Sequence, residues 1–327
     1  MWWLTWRQHR AELLIGALLL ALVAVPVIVT GVAIHHEYQA DGIAACVADP
    51  AGRGGCPQLV ARFVDRHREA SNRLIWVAFL PGLAGVFVGA PLLAREFEHG
   101  TWRLAFTQTV TRTRWLTAKL AVVGAGSVAA ALAFAALFTW WRGPFDAIEG
   151  RLRTSAFVVA APGLCAVTLF AFAVGVFAGA LLRRTIPAMG MTLAAFLAVR
   201  IPMEEYARPH YRAPLVRITD PVTQPATTGP RSTDWTVATG WVDRSGRVLS
   251  SGEEADIIHQ VYSDGHAVYG SGTPVERYLV EHGLRHYTEY QPGGRFWSLQ
   301  AIESAWFVGF AVVLLAGSVW LVRRRTT

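Results

Sequence analysis

The chain has 327 residues, a formal net charge of +7, and hydrophobic residues at 53% against only 16% charged. An ordinary soluble domain carries about 25% charged residues, so a soluble globular class is set aside. The basic balance does not mark a nucleic-acid binder either, because it is spread over the ends of apolar blocks, where it anchors spans to anionic headgroups.

The apolar residues form six blocks of bilayer-crossing length: Leu13–Ile34, Leu74–Ala94, Leu120–Trp141, Ala156–Leu182, Thr185–Ile201 and Ser304–Val322. About 20 apolar residues cross a hydrocarbon core, so the chain reads as an α-helical polytopic membrane protein with six transmembrane helices. The first block is too long for a cleaved signal and is expected to stay as an anchor. The fourth is overlong and is expected to tilt or kink near Pro162. The fifth is the shortest, interrupted by Pro187 and ended by Arg200.

Between the first two blocks lies a loop, 35–73, holding "ACVADPAGRGGC". In an oxidising compartment its Cys46 and Cys56 should bond, contributing about 2–3 kcal/mol by loop entropy. Without any CxxC spacing, zinc is the weaker reading. Cys165, inside the fourth block, reads as a small packing residue.

After the fifth block, residues 202–303 read as a small α+β domain. "TDPVTQPATTGPRST" is an irregular connection, and "WTVATGWVDRSGRVLSS" alternates and turns at Asp243–Gly246, as a hairpin does. "GTPVERYLVEHGL" carries Thr273 as N-cap, Pro274 at the first helical position, Glu276 to close a capping box and Gly283 as the stop. "LRHYTEYQP" then reads as a strand returning to the membrane. The expected organisation is spans one to five in 1–201, this domain in 202–303, and the sixth span with a basic tail in 304–327.

Charge orients the spans. With the N-terminus cytoplasmic, the inner segments hold 12 of the 30 basic residues and 3 of the 23 acids. The whole positive excess then falls inside, as the positive-inside rule requires. Both termini are expected in the cytoplasm and the α+β domain outside the membrane. Segment 142–153, with Arg142, Arg151 and Arg153 on the outside, runs against the trend.

Enzyme signatures are missing. Lys119, the sole lysine, opens a span, whereas a P-loop lysine must follow a glycine-rich turn to reach phosphate. "IHHEYQA" has His35, His36 and Glu37 but not the second His of HExxH, and reads as polar residues at a span end. No GxSxG is present. His259, His266, His282 and His286 follow no motif, and Arg200 and Glu303 sit at membrane edges, where snorkelling accounts for them. No catalytic, cofactor-binding or metal site is expected.

One feature stays unaccounted for: "AREFEHGTWRLAFTQTVTRTRWLTAKL", residues 94–120, with five basic residues, two acids and two Trp between apolar blocks. Trp102 and Phe106 stand four apart, on one helical face, so 95–119 should include a short helix on the cytoplasmic surface. By composition alone it is either an interfacial helix held for topology or a surface that docks a partner.

This segment is similar to the cytoplasmic segment between spans two and three of type-2 ABC exporter permeases, of an actinobacterial sort. Glu96, Gly100, Thr101, Arg112, Arg114 and Lys119 match that family's acid, Gly–Thr pair and following Arg and Lys. "YQPGGRFWSLQAIE", 290–303, also resembles the lead-in to the family's last span. The outer domain is larger than in compact members.

The resemblance implies a coupling helix that docks on a separate ABC ATPase subunit, which would hold ATP and Mg while this chain holds no cofactor. Glu96, Glu98, Gly100, Thr101, Trp102, Arg103, Phe106, Arg112 and Arg114 would form the coupling element. It further implies a second permease copy, in a homodimer or heterodimer, and residence in a bacterial plasma membrane, with lipid the other contact. "MWWLTWRQHRAEL" would be an amphipathic interfacial helix, or simply an aromatic belt with topogenic charges. The expected function is export of a hydrophobic or amphipathic substrate. The other-class alternative is a membrane-anchored sensor or scaffold whose outer domain binds a ligand or partner.

Overall fold

The structure is a computed structural model that describes residues 2–49, 55–100, 112–220, 233–263 and 278–325; side chains of 2–20, 112, 113, 115 and 325 are not described. Among the described residues, six helices are long and apolar enough to cross a membrane. The chain divides into two compact units, one of residues 1–148, 154–200 and 300–327, the other of 149–153 and 201–299.

The first unit is helical. α1 runs unbroken from Trp2 to Ala40, so the N-terminal segment and the first span form one continuous helix. No Gly or Pro interrupts 2–15, so nothing in the sequence breaks the rod there. The described residues of the predicted loop 35–73 are also mostly helical. α1 carries its first part, α2 spans Ile43–Ala48, and a third helix starts at Cys56. The Cys46–Cys56 disulfide joins the last two, with Cα atoms 5.4 Å apart.

α3, Cys56–Glu98, covers 43 residues. It is α-helical to Arg73, tightens to 3-10 over Leu74–Phe79 and widens to a π turn over Gly85–Gly89 before its last α segment, Ala90–Glu98. α4, Arg112–Glu149, is a single helix of 38 residues. Both exceed what a hydrocarbon core of about 30 Å requires at about 1.5 Å per residue, so each continues past its apolar block.

The kink expected near Pro162 is a break in the helix at 158–160, just before that residue. A short α5, Thr154–Phe157, precedes α6, Ala161–Leu182, and Pro162 lies in the first turn of α6, where its missing N–H costs no helical bond. Pro187 is likewise in the first turn of α7, Thr185–Pro202, and a π turn and a 3-10 turn carry that rod on to His210.

α6 is the axis of the unit, with 15 buried residues. It meets α3 at backbone distance. A Cβ on Gly89 would stand 2.7 Å from the Phe172 carbonyl oxygen, and one on Gly179 would stand 2.6 Å from that of Ala90. Small residues let helices in lipid approach this closely, where dispersion rather than hydrophobicity drives packing. A second cluster gathers Ile34, Ile43, Phe63, Phe138, Trp141 and Phe145 from α1 to α4, with Phe63 and Phe145 stacked at 5.4 Å.

The second unit holds a three-stranded antiparallel sheet in the order β1-β3-β2: β1 Leu215–Thr219, β2 Trp235–Val242 and β3 Arg285–Gln291. The returning strand and the turn at Asp243–Gly246 stand as expected; the far arm of the hairpin pairs through a single bridge, Val242 to Val248. Between β2 and β3, α8, Ser251–Ser263, contributes Val261 to a buried cluster with Trp241, Leu249, Leu279 and Leu284. Neither β1 nor α8 was expected. Thr273, Pro274 and Glu276 lie outside the described residues; 278–281 is helical and Gly283, at φ 82°, ends it. After β3, the last span begins earlier than its apolar block, with α9 running from Phe296 to Arg325.

Candidate functional site

α3 ends at Glu98, and the chain turns at Gly100, whose φ of 69° favours glycine. His99 closes the helix end, its N–H donating to the Arg95 carbonyl at 3.1 Å. Residues 101–111 lie outside the described set, and with them Thr101, Trp102, Arg103, Phe106 and the expected short helix. α4 starts at Arg112, and Arg114 is exposed on its first turn.

The flanks of this segment are pinned inside the chain. Lys119 on α4 is ion-paired with Glu96 on α3 and also donates to the Leu92 carbonyl at 3.3 Å. One Glu98 carboxylate oxygen accepts from the Thr185 backbone N–H at 3.0 Å and from its hydroxyl at 2.7 Å. Behind them Leu93, Leu116, Leu120, Phe172, Val176, Ala180 and Val322 close a buried cluster drawn from α3, α4, α6 and α9. Sequence reasoning singled out both acids and Lys119 but did not pair Lys119 with Glu96, 23 residues away, and it missed Thr185 as the partner of Glu98, 87 residues away.

Two buried polar centres replace residues read as membrane-edge or loop charges. Arg200 and Glu303 do not snorkel. They meet at 2.8 Å with side chains 7% and 2% exposed, and the guanidinium lies 5.7 Å from the Phe307 ring centre. A small cavity beside them is lined by Ala78, Pro81, Phe157, Val158, Gly163 and Leu164. Gln300, one turn away, accepts from the Gly163 N–H at 3.0 Å and donates to the Phe157 carbonyl at 2.8 Å. A charge at this depth is held only by close partners.

Arg142, expected in an outer loop, is instead inside α4 and fully buried. It donates to Asp146 at 3.0 Å, Ser71 at 2.9 Å and Ser155 at 2.8 Å. The span-end group His35–Glu37 is engaged as well. His35 stacks on Trp140, and Glu37 pairs with Arg66 and with His67 at 2.9 Å. Cys165 is half-buried against the Val128 carbonyl.

In the second unit, His286 meets the Trp241 ring edge-on and His282 stacks on Tyr278, while His259 is exposed. Among the described residues, no group of three or more His, Cys, Asp or Glu could hold a metal.

Comparison with curated proteins and with solved structures finds no match. A family model described as "ABC-2 membrane transporter related" matches residues 17–208, from within α1 to the end of the α7 rod and across the pinned segment. The protein is thus a multi-pass membrane protein of the transporter-permease type, and the chain belongs to the ABC-2 membrane transporter related family.

Proposed function

We propose that this chain is the membrane-spanning subunit of an ATP-driven exporter that moves a hydrophobic or amphipathic substrate. A separate ABC subunit binds ATP and Mg and hydrolyses the nucleotide. Two permease copies stand in the assembly, in a bacterial plasma membrane, with both termini cytoplasmic and the sheet-bearing unit outside. The charge distribution supports that orientation.

One observation carries the reading. The charged, Trp-bearing segment between α3 and α4 is mounted between two helix ends that Glu96 and Lys119 fix to each other. A partner that pushes on such a segment moves whole spans instead of deforming a loop. Thr101, Trp102, Arg103 and Phe106 supply the contact chemistry, Arg112 and Arg114 its basic edge, and Gly100 the turn into it. Glu96 and Glu98 hold the mounting and do not face the partner.

The test is purification of the tagged chain from its own membrane, with assay of any ATP-binding subunit that follows it. ATP hydrolysis by that subunit should depend on the permease. A Gly-Ser pair inserted after Phe106, or Trp102→Ala with Phe106→Ala, should abolish the dependence while leaving the permease inserted. An ATP-binding subunit that never co-purifies would favour the sensor or scaffold reading.

A further inference from the structure

The corner between α6 and α7 is tight. Arg183 caps α6 in the left-handed conformation at φ 56°, and α7 begins two residues later at Thr185. A helix start leaves its first N–H groups without intrahelical partners. In α7, Pro187 has no such group to satisfy, and that of Thr185 is taken by Glu98, 87 residues away at the end of α3. The Thr185 hydroxyl donates to the same oxygen at 2.7 Å, and the carboxylate also suits the positive end of the α7 dipole.

A second contact lies alongside. The Arg183 guanidinium is 5.4 Å from the ring centre of Phe97, the residue before Glu98. Consecutive residues of α3 therefore hold two residues of the corner, and below them α3 and α6 touch backbone to backbone at Gly89 and Gly179.

We infer that Glu98 is a positioning residue that carries motion of the α3–α4 segment into the fifth span, so that the end of α3, residues 183–185 and the start of α7 travel as one piece. This rests on the coupling role proposed above and extends it. The stroke does not stop at the second and third spans. An acid facing a partner subunit would act by charge, whereas an acid capping Thr185 acts by accepting hydrogen bonds.

The experiment uses the permease with its co-purified ATP-binding subunit in nanodiscs. Glu98→Ala and Thr185→Val should each lower permease-dependent ATP hydrolysis by about tenfold, Glu98→Gln should keep it within about twofold, and the Ala/Val double variant should be no worse than either single one. In a Cys165→Ser background, nitroxides on His99→Cys and Ile186→Cys should show the same spin–spin coupling before and after vanadate trapping. The inference is overturned if Glu98→Gln falls as far as Glu98→Ala, if Thr185→Val is silent, or if trapping separates the labels. A wild-type permease with no effect on ATP hydrolysis would instead sink the proposed function, and this inference with it.

Discussion

Arg200 on α7 and Glu303 on α9 meet at 2.8 Å across 103 residues of sequence, both nearly sealed from solvent. Removing either partner leaves the other charge buried without its counter-ion. Glu303→Ala or Arg200→Ala should therefore destabilise the detergent-solubilised protein by about 3–5 kcal/mol. Replacing the pair with Met and Leu removes both desolvation penalties and should restore most of that loss. Thermal unfolding of the three variants checks this; a double variant as unstable as the singles would deny that the pair is a closed unit.

That pair marks where the sequence stopped being legible. The six apolar blocks announce themselves because length and hydrophobicity are local properties, and β3 because it alternates between turn residues. Arg200 and Glu303 each looked like an edge charge because each was judged alone. Arg142 misled in the same way: its Ser71 and Ser155 partners come from α3 and α5, and no local pattern brings them together. The helices within 43–73 were hidden for another reason. Cys56–Arg73 buries only Cys56, Phe63 and Ser71, too thin a stripe to stand out among eight charged and amide side chains. In the candidate site, the acids at 96 and 98 were visible as chemistry, but their inward direction was not.

The contact of α3 with α6 has no slack. Gly179→Val would place a branched side chain against the Ala90 carbonyl and the Ala94 N–H region, and overpacking of this kind costs about 1–3 kcal/mol. Folded yield and melting temperature should both fall. Gly190, with open space at its Cβ position, should accept Val with little change, and equal damage at the two sites would argue against close packing as the cause.

The Cys46–Cys56 bond closes a short loop between α2 and α3. Mass spectrometry without reduction should recover the two peptides linked. Changing both residues to Ser should cost about 2–3 kcal/mol, read as an earlier loss of helix 56–73 on heating. Permease-dependent ATP hydrolysis should persist at moderate temperature, since the bond lies far along α3 from Glu98. Full alkylation of both thiols without prior reduction would rule the bond out in the native membrane.

The start of α8 should respond to acid. Glu253 accepts from the Ser250 N–H at 2.8 Å and hydroxyl at 2.9 Å, and from Arg247 at 2.9 and 3.1 Å, while Ser250 accepts from the Glu253 N–H at 3.3 Å. This is a capping box reinforced by a guanidinium. The Ser250 backbone N–H, then Arg247, then the Ser250 hydroxyl hold the carboxyl down to about 2, against an ordinary 4.5. A folded value below the unfolded one means the stabilisation is complete above 4.5 and is lost as pH falls from there towards 2. Amide exchange in the first turn of α8, corrected for intrinsic rates, should thus accelerate between about pH 5 and about pH 3. Glu253→Gln should raise exchange already at neutral pH and flatten most of that dependence. A remainder should persist from Asp243, which shares Arg247 and is itself held low by Ser245 and Arg247. Exchange that is equally acid-sensitive in wild type and Glu253→Gln would show that the capping carboxylate does not govern this helix end.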